Sequence, residues 1–287
     1  MIEVIVPGPY ATVQDLGRPG YGHLGVPRSG AADAPSLRLA NRLVGNPESA
    51  AGIELTFGGA WLRFDAGAWV AVSGAPCALE LLWSGRTVTQ GMGAPFWVRA
   101  GGELRTAAPT AGLRTYVAIR GGVDTPVVMG SRSTDSLSGL GPPPLRPGMV
   151  LPVGPTDGLP LITVDAAPLS TPPPDVLRVL PGPRDDWFVP GALAALCAEP
   201  YRVSQDSNRV GVRLEGVRLE RARDAELPSE GMVTGALQVP PDGRPIVFLA
   251  DHPPTGGYPV IAVLVSADLA GAAQLCPGDR VGFRLLR

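Results

Sequence analysis

Short apolar runs with alternating polar positions recur along most of the chain, separated by clusters of glycine and proline. IEVIV (2–6), AWLRF (60–64), AWVAVSG (68–74), CALELLW (77–83), PFWVRA (95–100) and TYVAIRGG (115–122) read as strands. VLRVLPGP (176–183), YRVS (201–204), GVRLEG (211–216), PIVFLA (245–250), PVIAVLVSA (259–267) and DRVGFRLL (279–286) continue the series. The period of two and the β-branched content favour strands over helices. Helical spacing is rare. ADAPSLRLANRLV (32–44) sets Leu37, Ala40, Leu43 and Val44 on one face, with Gly45-Asn46-Pro47 as its stop. Residues 190–198 and 269–275 predict two further short helices. The pattern predicts a mainly β architecture, built of barrels or sandwiches rather than α/β layers.

LSTPPPDV (169–176) interrupts the strand series with three prolines. It divides the chain into an N-terminal β subdomain, 1–170, and a C-terminal one, 176–287, unless it is a surface loop.

Composition sharpens this picture in two respects. Of the 287 residues, 45% are hydrophobic and 17% charged, so a real core is expected, and a net charge of −2 gives no footprint for nucleic acid or an acidic membrane. All 24 basic residues are arginine. Without lysine, this sequence can hold neither a Walker phosphate loop nor a Schiff base, and biotin cannot be attached to it. Cys77, Cys197 and Cys276 are far apart and form no CxxC pair, so free thiols are expected. His23 and His252 lack the spacing of a metal site, and no metal ligands are assigned. MIEVIVPGPY is not a signal peptide, and no run reaches the length of a membrane span. A cytoplasmic location is expected.

Three polar clusters on glycine-rich loops are candidates for chemistry. The first, TVQDLGRPGYGHLGVPRSGAAD (12–33), carries Gln14, Asp15, Arg18, Ser29 and Asp33. The second, SQDSNRVGVRLEG (204–216), brings Asn208 and Arg209 into a strand. The third runs from GALQVPPDGRPIVFLAD (235–251) into DHPPTGGYPVIA (251–262), where turn residues border an apolar strand. Polar side chains on loops beside rigid strands are where sites gather, although tight turns and local ion pairs also explain each cluster alone.

Eight ordered segments carry a family resemblance: TVQDLGRPGYGHLGVPRSGAAD, LANRLVGN, YVAIRGGVD, GSRST, SNRVGVRLEG, ALQVPPDGRPI, TGGYPVIA and PGDRVGF. They resemble the family of the C-type subunit of ATP-dependent 5-oxoprolinase, also described as allophanate hydrolase subunit 2 or biotin-dependent carboxyltransferase. Two departures stand out. Val260 follows GGYP where many relatives have a basic residue, and GLGPPPLRPGM (139–149) replaces a glycine-glycine-x-x-glycine-arginine element.

The resemblance implies a cyclophilin-like β-barrel architecture, with two barrel-like subdomains and few helices. It implies partners as well, namely the B-type subunit of the family and a third oxoprolinase subunit. The implied activity is the ATP-dependent opening of 5-oxoproline to glutamate, an amide hydrolase active only with its partners. ATP and Mg²⁺ belong to the assembled complex. One alternative is the carboxyltransferase subunit of a biotin-dependent urea or amide carboxylase; another is a non-catalytic regulator that counteracts a kinase inhibitor.

On the lactam-opening reading, Asp251, Arg209 and Asn208 are the catalytic candidates. Gln238, Asp242, Thr255, Gly256, Gly257, Tyr258, Gln14 and Arg18 are the substrate-binding ones. The segments 207–209, 238–243 and 251–258 are expected to share one pocket. An Asp251→Asn change is expected to abolish turnover while leaving thermal unfolding almost unchanged. Asp242 and Asp251 stand at opposite ends of one short strand, roughly 20 Å apart at about 3.3 Å per residue, and Asp251 ranks higher.

Overall fold

The alternation is realised as twenty strands and three short α-helices, in a computed structural model that describes residues 1–169, 175–223, 225 and 227–286. In the N-terminal part these are β1 (Ile2–Val6), β2 (Tyr10–Gln14), β3 (Gly52–Thr56), β4 (Trp61–Phe64), β5 (Ala68–Gly74) and β6 (Leu79–Trp83). β7 (Arg86–Gln90), β8 (Pro95–Val98), β9 (Glu103–Thr106), β10 (Arg114–Ile119) and β11 (Val150–Leu151) follow. The C-terminal part has β12 (Val176–Pro181), β13 (Tyr201–Val203), β14 (Gly211–Glu215), β15 (Glu230–Gly231) and β16 (Ala236–Gln238). β17 (Ile246–Phe248), β18 (Thr255–Gly256), β19 (Val260–Leu264) and β20 (Arg280–Leu285) complete the set.

Two compact units emerge. The first comprises Met1–Arg18, Asp33–Asp135 and Gly139–Pro172; the second comprises Pro19–Ala32, Ser136–Ser138 and Pro173–Arg287. Two short segments of the N-terminal half are thus built into the second unit. Of the proline-rich boundary at 169–176, residues 170–174 lie outside the described residues.

In the first unit, a six-stranded sheet (β11-β1-β4-β9-β6-β7) and a five-stranded sheet (β2-β3-β10-β5-β8) contribute to one core. Ile2, Leu62 and Leu104 from one sheet and Ile53, Val72 and Val117 from the other are fully buried or nearly so. This arrangement is the sandwich solution to burying one face of each sheet. β10 is buried along its whole length because helix α1 (Ala34–Leu43) covers its other face through Ala40, Leu43 and Ala118. α1 starts as the spacing predicts: Asp33 caps it by accepting from the Ser36 amide (3.1 Å), and Pro35 occupies the first turn. Gly45, at φ +68°, ends it in the left-handed region.

The second unit is a closed seven-stranded barrel, β12-β19-β16-β17-β14-β13-β20, in which β12 and β20 close the ring in parallel. Leu177, Val179, Val203, Val212, Leu237, Val247 and Ile261 point inward. A barrel of this strand number is filled by its own side chains, so reactive groups are left to the ends. Helices α2 (Ala192–Leu196) and α3 (Leu269–Ala273) match the two short helices expected. The expectation of two barrel-like subdomains is corrected: one closed barrel is present, and the sheets of the first unit are open among the described residues. No helix among the described residues is long and apolar enough to cross a membrane.

Candidate functional site

Strand register assigns the candidate residues of the second unit to the two ends of the barrel. β14 and β17 pair Gly211 with Phe248 and Arg213 with Ile246. The start of β14 and the end of β17 therefore lie at one end, and this end holds Arg209 and Asp251. At the other end lie the exits of β14 and β16 and the entries of β17 and β19, where Gln238 pairs with Val260. This end holds Asp242, Gly257 and Tyr258. The residues expected in one shared pocket are split in two, and the split follows from the direction of the strands.

Arg209 and Asp251 form a fully buried ion pair. Arg209 Nε donates to Asp251 Oδ2 and Nη2 to Oδ1, each at 2.9 Å. The Ser29 hydroxyl donates to Oδ1 (2.7 Å), and the amide and hydroxyl of Ser136 donate to Oδ2 (3.0 and 2.6 Å). Arg209 Nη2 also donates to the Gly30 carbonyl (2.6 Å). Burial pushes the Asp251 carboxyl up, but the Arg209 guanidinium and the two serine hydroxyls outweigh it and hold the group below the usual carboxylate range. Both carboxylate oxygens are thus engaged by protein donors. Asn208 is exposed, and its Oδ1 accepts from the Val210 and Gly211 amides, making the turn into β14. His252 is buried and stacks on Phe248 at 5.6 Å; burial depresses its pKa against the pull of the Pro253 carbonyl and Asp251.

The opposite end carries a cavity of about 1200 Å³, lined by Arg218, Glu220, Arg221, Asp242, Gly257 and Tyr258 among others. Arg221 Nη2 donates to the Val239 carbonyl (2.6 Å), which fixes the side chain, while its buried Nε has no hydrogen-bond partner among the described residues. The Arg221 guanidinium lies 5.5 Å from the centre of the Tyr258 ring. Asp242 Oδ1 accepts from the Arg244 amide (3.2 Å) and the residue is exposed. Gln238 is buried beneath the rim and holds the Tyr258 carbonyl through Nε2 (3.1 Å). Thr255 and Gly256 form β18, paired with β15, and support the segment leading to Tyr258. Two arginines with donors open among the described residues, an aromatic wall and an exposed carboxylate make a site for a planar or anionic group.

Gln14 and Arg18 belong to the first unit. Gln14 lies on β2, not on a loop, and donates to the Thr12 hydroxyl and the Thr134 carbonyl, each at 3.0 Å. Arg18 is buried, donates to the Val128 and Ser133 carbonyls, and pairs with Asp135 at 3.8 Å. Asp15 collects the Ser131 and Ser133 hydroxyls and the Arg132 amide, which accounts for the serines of GSRST. Ser136, Arg218 and Arg221 escaped the sequence reading. The available signal was the repeated VRLE at 212–215 and 217–220, whose second copy leaves the barrel as a loop. Among the described residues, no group of three or more His, Cys, Asp or Glu side chains is arranged to hold a metal ion.

The family model described as "Carboxyltransferase domain, subdomain A and B" matches residues 24–285. The chain is 38% identical to the C-type subunit of 5-oxoprolinase from Escherichia coli, over 99% of this chain and 90% of that protein. Urea amidolyase of K. lactis superposes with a TM-score of 0.91 at 32% identity, covering all of this chain and 19% of that one. Kluyveromyces lactis urea carboxylase gives a TM-score of 0.90 at 32% identity, covering all of this chain and 27% of that one. The chain spans about a fifth to a quarter of these two solved structures. The relation therefore runs to both the 5-oxoprolinase type and the urea carboxylase type, and the structures favour the latter. The expected amide hydrolase chemistry is corrected, because the matched domain is a carboxyltransferase and its chemistry is transfer rather than hydrolysis.

Proposed function

Since the chain belongs to the carboxyltransferase domain family, we infer that it is the carboxyl-transferring subunit of a biotin-dependent carboxylase acting on urea or a similar amide. The observation that carries this reading is the family match over residues 24–285. Biotin, carried by another chain because this one lacks lysine, supplies the carboxyl group. The cavity fits such a group: the buried Nε of Arg221 lacks a partner among the described residues, and the Tyr258 ring offers a flat wall. Arg221 and Arg218 bind and orient the anionic carboxyl; Tyr258 packs against the ring system beside it. As the bond from the donor ring nitrogen to the carboxyl carbon breaks and that to the acceptor nitrogen forms, Asp242 Oδ2, free of the Arg244 amide, would take the proton released by the acceptor nitrogen and pass it to the departing ring nitrogen. In this reading the barrel is the cyclophilin-like module of the family.

ATP and Mg²⁺ act on other chains of the assembly. The partners are the family's B-type subunit and further subunits of a cytoplasmic, heteromeric assembly. The relation to the C-type subunit of 5-oxoprolinase supports a second reading, membership of a 5-oxoprolinase-type complex in which the ATP-dependent step resides on a partner. The test is transfer of label from N-carboxybiotin, labelled in its N-carboxyl group, to urea by the chain co-purified with its B-type partner. Labelled carboxyurea supports the first reading. Absence of transfer, with ATP-dependent 5-oxoproline turnover once the third component is added, overturns it in favour of the second.

A further inference from the structure

The first unit has a groove unrelated to the barrel cavity. It encloses about 270 Å³ and is lined by Leu81, Trp83, Arg86, Val88, Trp97 and Arg99 with their neighbours. β6 and β7 form a hairpin through Ser84 and Gly85, both at positive φ (48° and 75°), the two-residue turn that suits strand twist. Its register sets Leu81 opposite Val88 and Trp83 opposite Arg86, so these four side chains share the face that lines the groove. Trp83, Val88 and Trp97 are 42%, 59% and 48% exposed.

The aromatic wall is held in place. Trp97 packs edge-on against Trp69 (5.6 Å between centres), and its indole lies so close over Gly67 that a side chain there would collide with it. Arg99 stacks over Trp83 at 4.5 Å. Arg86 and Arg99 form no ion pair among the described residues, whereas Glu103 at the groove is already engaged by Trp61 and Arg63. The groove is therefore apolar at its base and cationic at its rim.

β7 is also a free edge. It ends the six-stranded sheet, four of its five residues are exposed, and it reads RTVTQ, with β-branched residues and no proline. Sheet edges of this kind are templates for an added strand unless guarded. β8, the free edge of the other sheet, starts with Pro95 and lacks a donor there.

We propose that this groove docks an extended segment of a partner polypeptide, which adds to β7 as a further strand. Alternate residues of that segment are apolar and fill the space between Trp83 and Trp97; acidic residues beside them meet Arg86 and Arg99. Main-chain hydrogen bonds supply the affinity and the two kinds of side chain the selectivity. A second copy of this chain fits poorly, because its own hairpin face brings the same two cations.

The test uses the full chain and two seven-residue capped peptides, one alternating valine with glutamate, the other valine with lysine. The glutamate peptide is expected to slow amide exchange at residues 86–90 and to change tryptophan fluorescence, with the lysine peptide at least tenfold weaker. Val88→Glu, at an exposed position, is expected to weaken the glutamate peptide at least tenfold without shifting thermal unfolding. Arg86→Glu is expected to reverse the preference between the peptides. Equal binding of both peptides, binding of neither, or protection of 86–90 that grows with protein concentration alone would overturn the proposal.

Discussion

Asp251 meets Arg209 side-on at one end of the barrel, two parallel hydrogen bonds of 2.9 Å joining carboxylate and guanidinium with both groups out of water. This geometry is strong when complete and costly when broken, since removing one charge strands the other. Asp251→Asn is therefore expected to destabilise the fold by about 3–5 kcal/mol, read as a lower midpoint in chemical unfolding. From the residues alone, thermal unfolding is expected to be almost unaffected; the buried partner reverses that expectation. An unchanged midpoint would show that the pair is not formed in solution.

Acid is expected to weaken the second unit in two stages. His252 has a depressed folded pKa, so below the ordinary histidine value of about 6.5 the unfolded chain binds more protons than the folded one. Its contribution is complete above that value and is lost as pH falls through the folded pKa. Asp251, also depressed, contributes fully above about 3.9 and loses its contribution as pH falls through its own folded value. Unfolding free energy measured from pH 7 down to pH 4 should fall in the wild type, and His252→Phe should flatten that slope. An equal slope in both proteins would rule out His252 as its source.

Why some of this was legible from the residues and some was not comes down to range. β5 and the helix at 34–43 declare themselves through local periodicity and through a cap and stop that lie beside them in sequence. β2 and β7 do not: Tyr10–Gln14 is buried on both faces by elements distant in sequence, and RTVTQ has no apolar alternation because it lies at an edge. Asp251 and Arg209 were readable as a functional pair of residue types, but not as a pair enclosed by Ser29 and Ser136, each more than a hundred residues from Asp251. The assignment of Asp242 and Asp251 to opposite ends of a strand was legible, because a strand of known direction separates what it connects. The arginines at 218 and 221 were not, since nothing local says that the second VRLE leaves the barrel.

Substitutions in the cavity should separate binding from stability. Arg218 is exposed and makes no ion pair among the described residues, so Arg218→Gln should leave unfolding within about 0.5 kcal/mol of wild type. If it orients the carboxyl group, KM for the carboxyl donor should rise about tenfold or more. Arg221→Gln loses the Val239 contact too and should lower kcat/KM by about a hundredfold. Wild-type transfer kinetics in both variants would remove this cavity from the reaction.

Ser29 offers a more demanding test of the buried clamp. It sits at φ +54°, a left-handed conformation that costs a residue with a side chain about 1 kcal/mol or more, and it is held there by its amide bond to the Ala250 carbonyl (3.1 Å) and its hydroxyl bond to Asp251 (2.7 Å). Ser29→Ala removes the hydroxyl bond and keeps the strain, so it should destabilise by about 1–3 kcal/mol, in the range for hydrogen bonds to buried charges. Ser29→Gly removes the same bond but relieves the backbone, because glycine enters the left-handed region without penalty. The glycine variant should therefore be the more stable of the two, by about 1 kcal/mol, despite its greater freedom when unfolded. The comparison holds the lost hydrogen bond constant and reads only the backbone. If the alanine variant equals or exceeds the glycine variant in stability, residue 29 is not left-handed in solution, and the Ser29 arm of the clamp does not form as described.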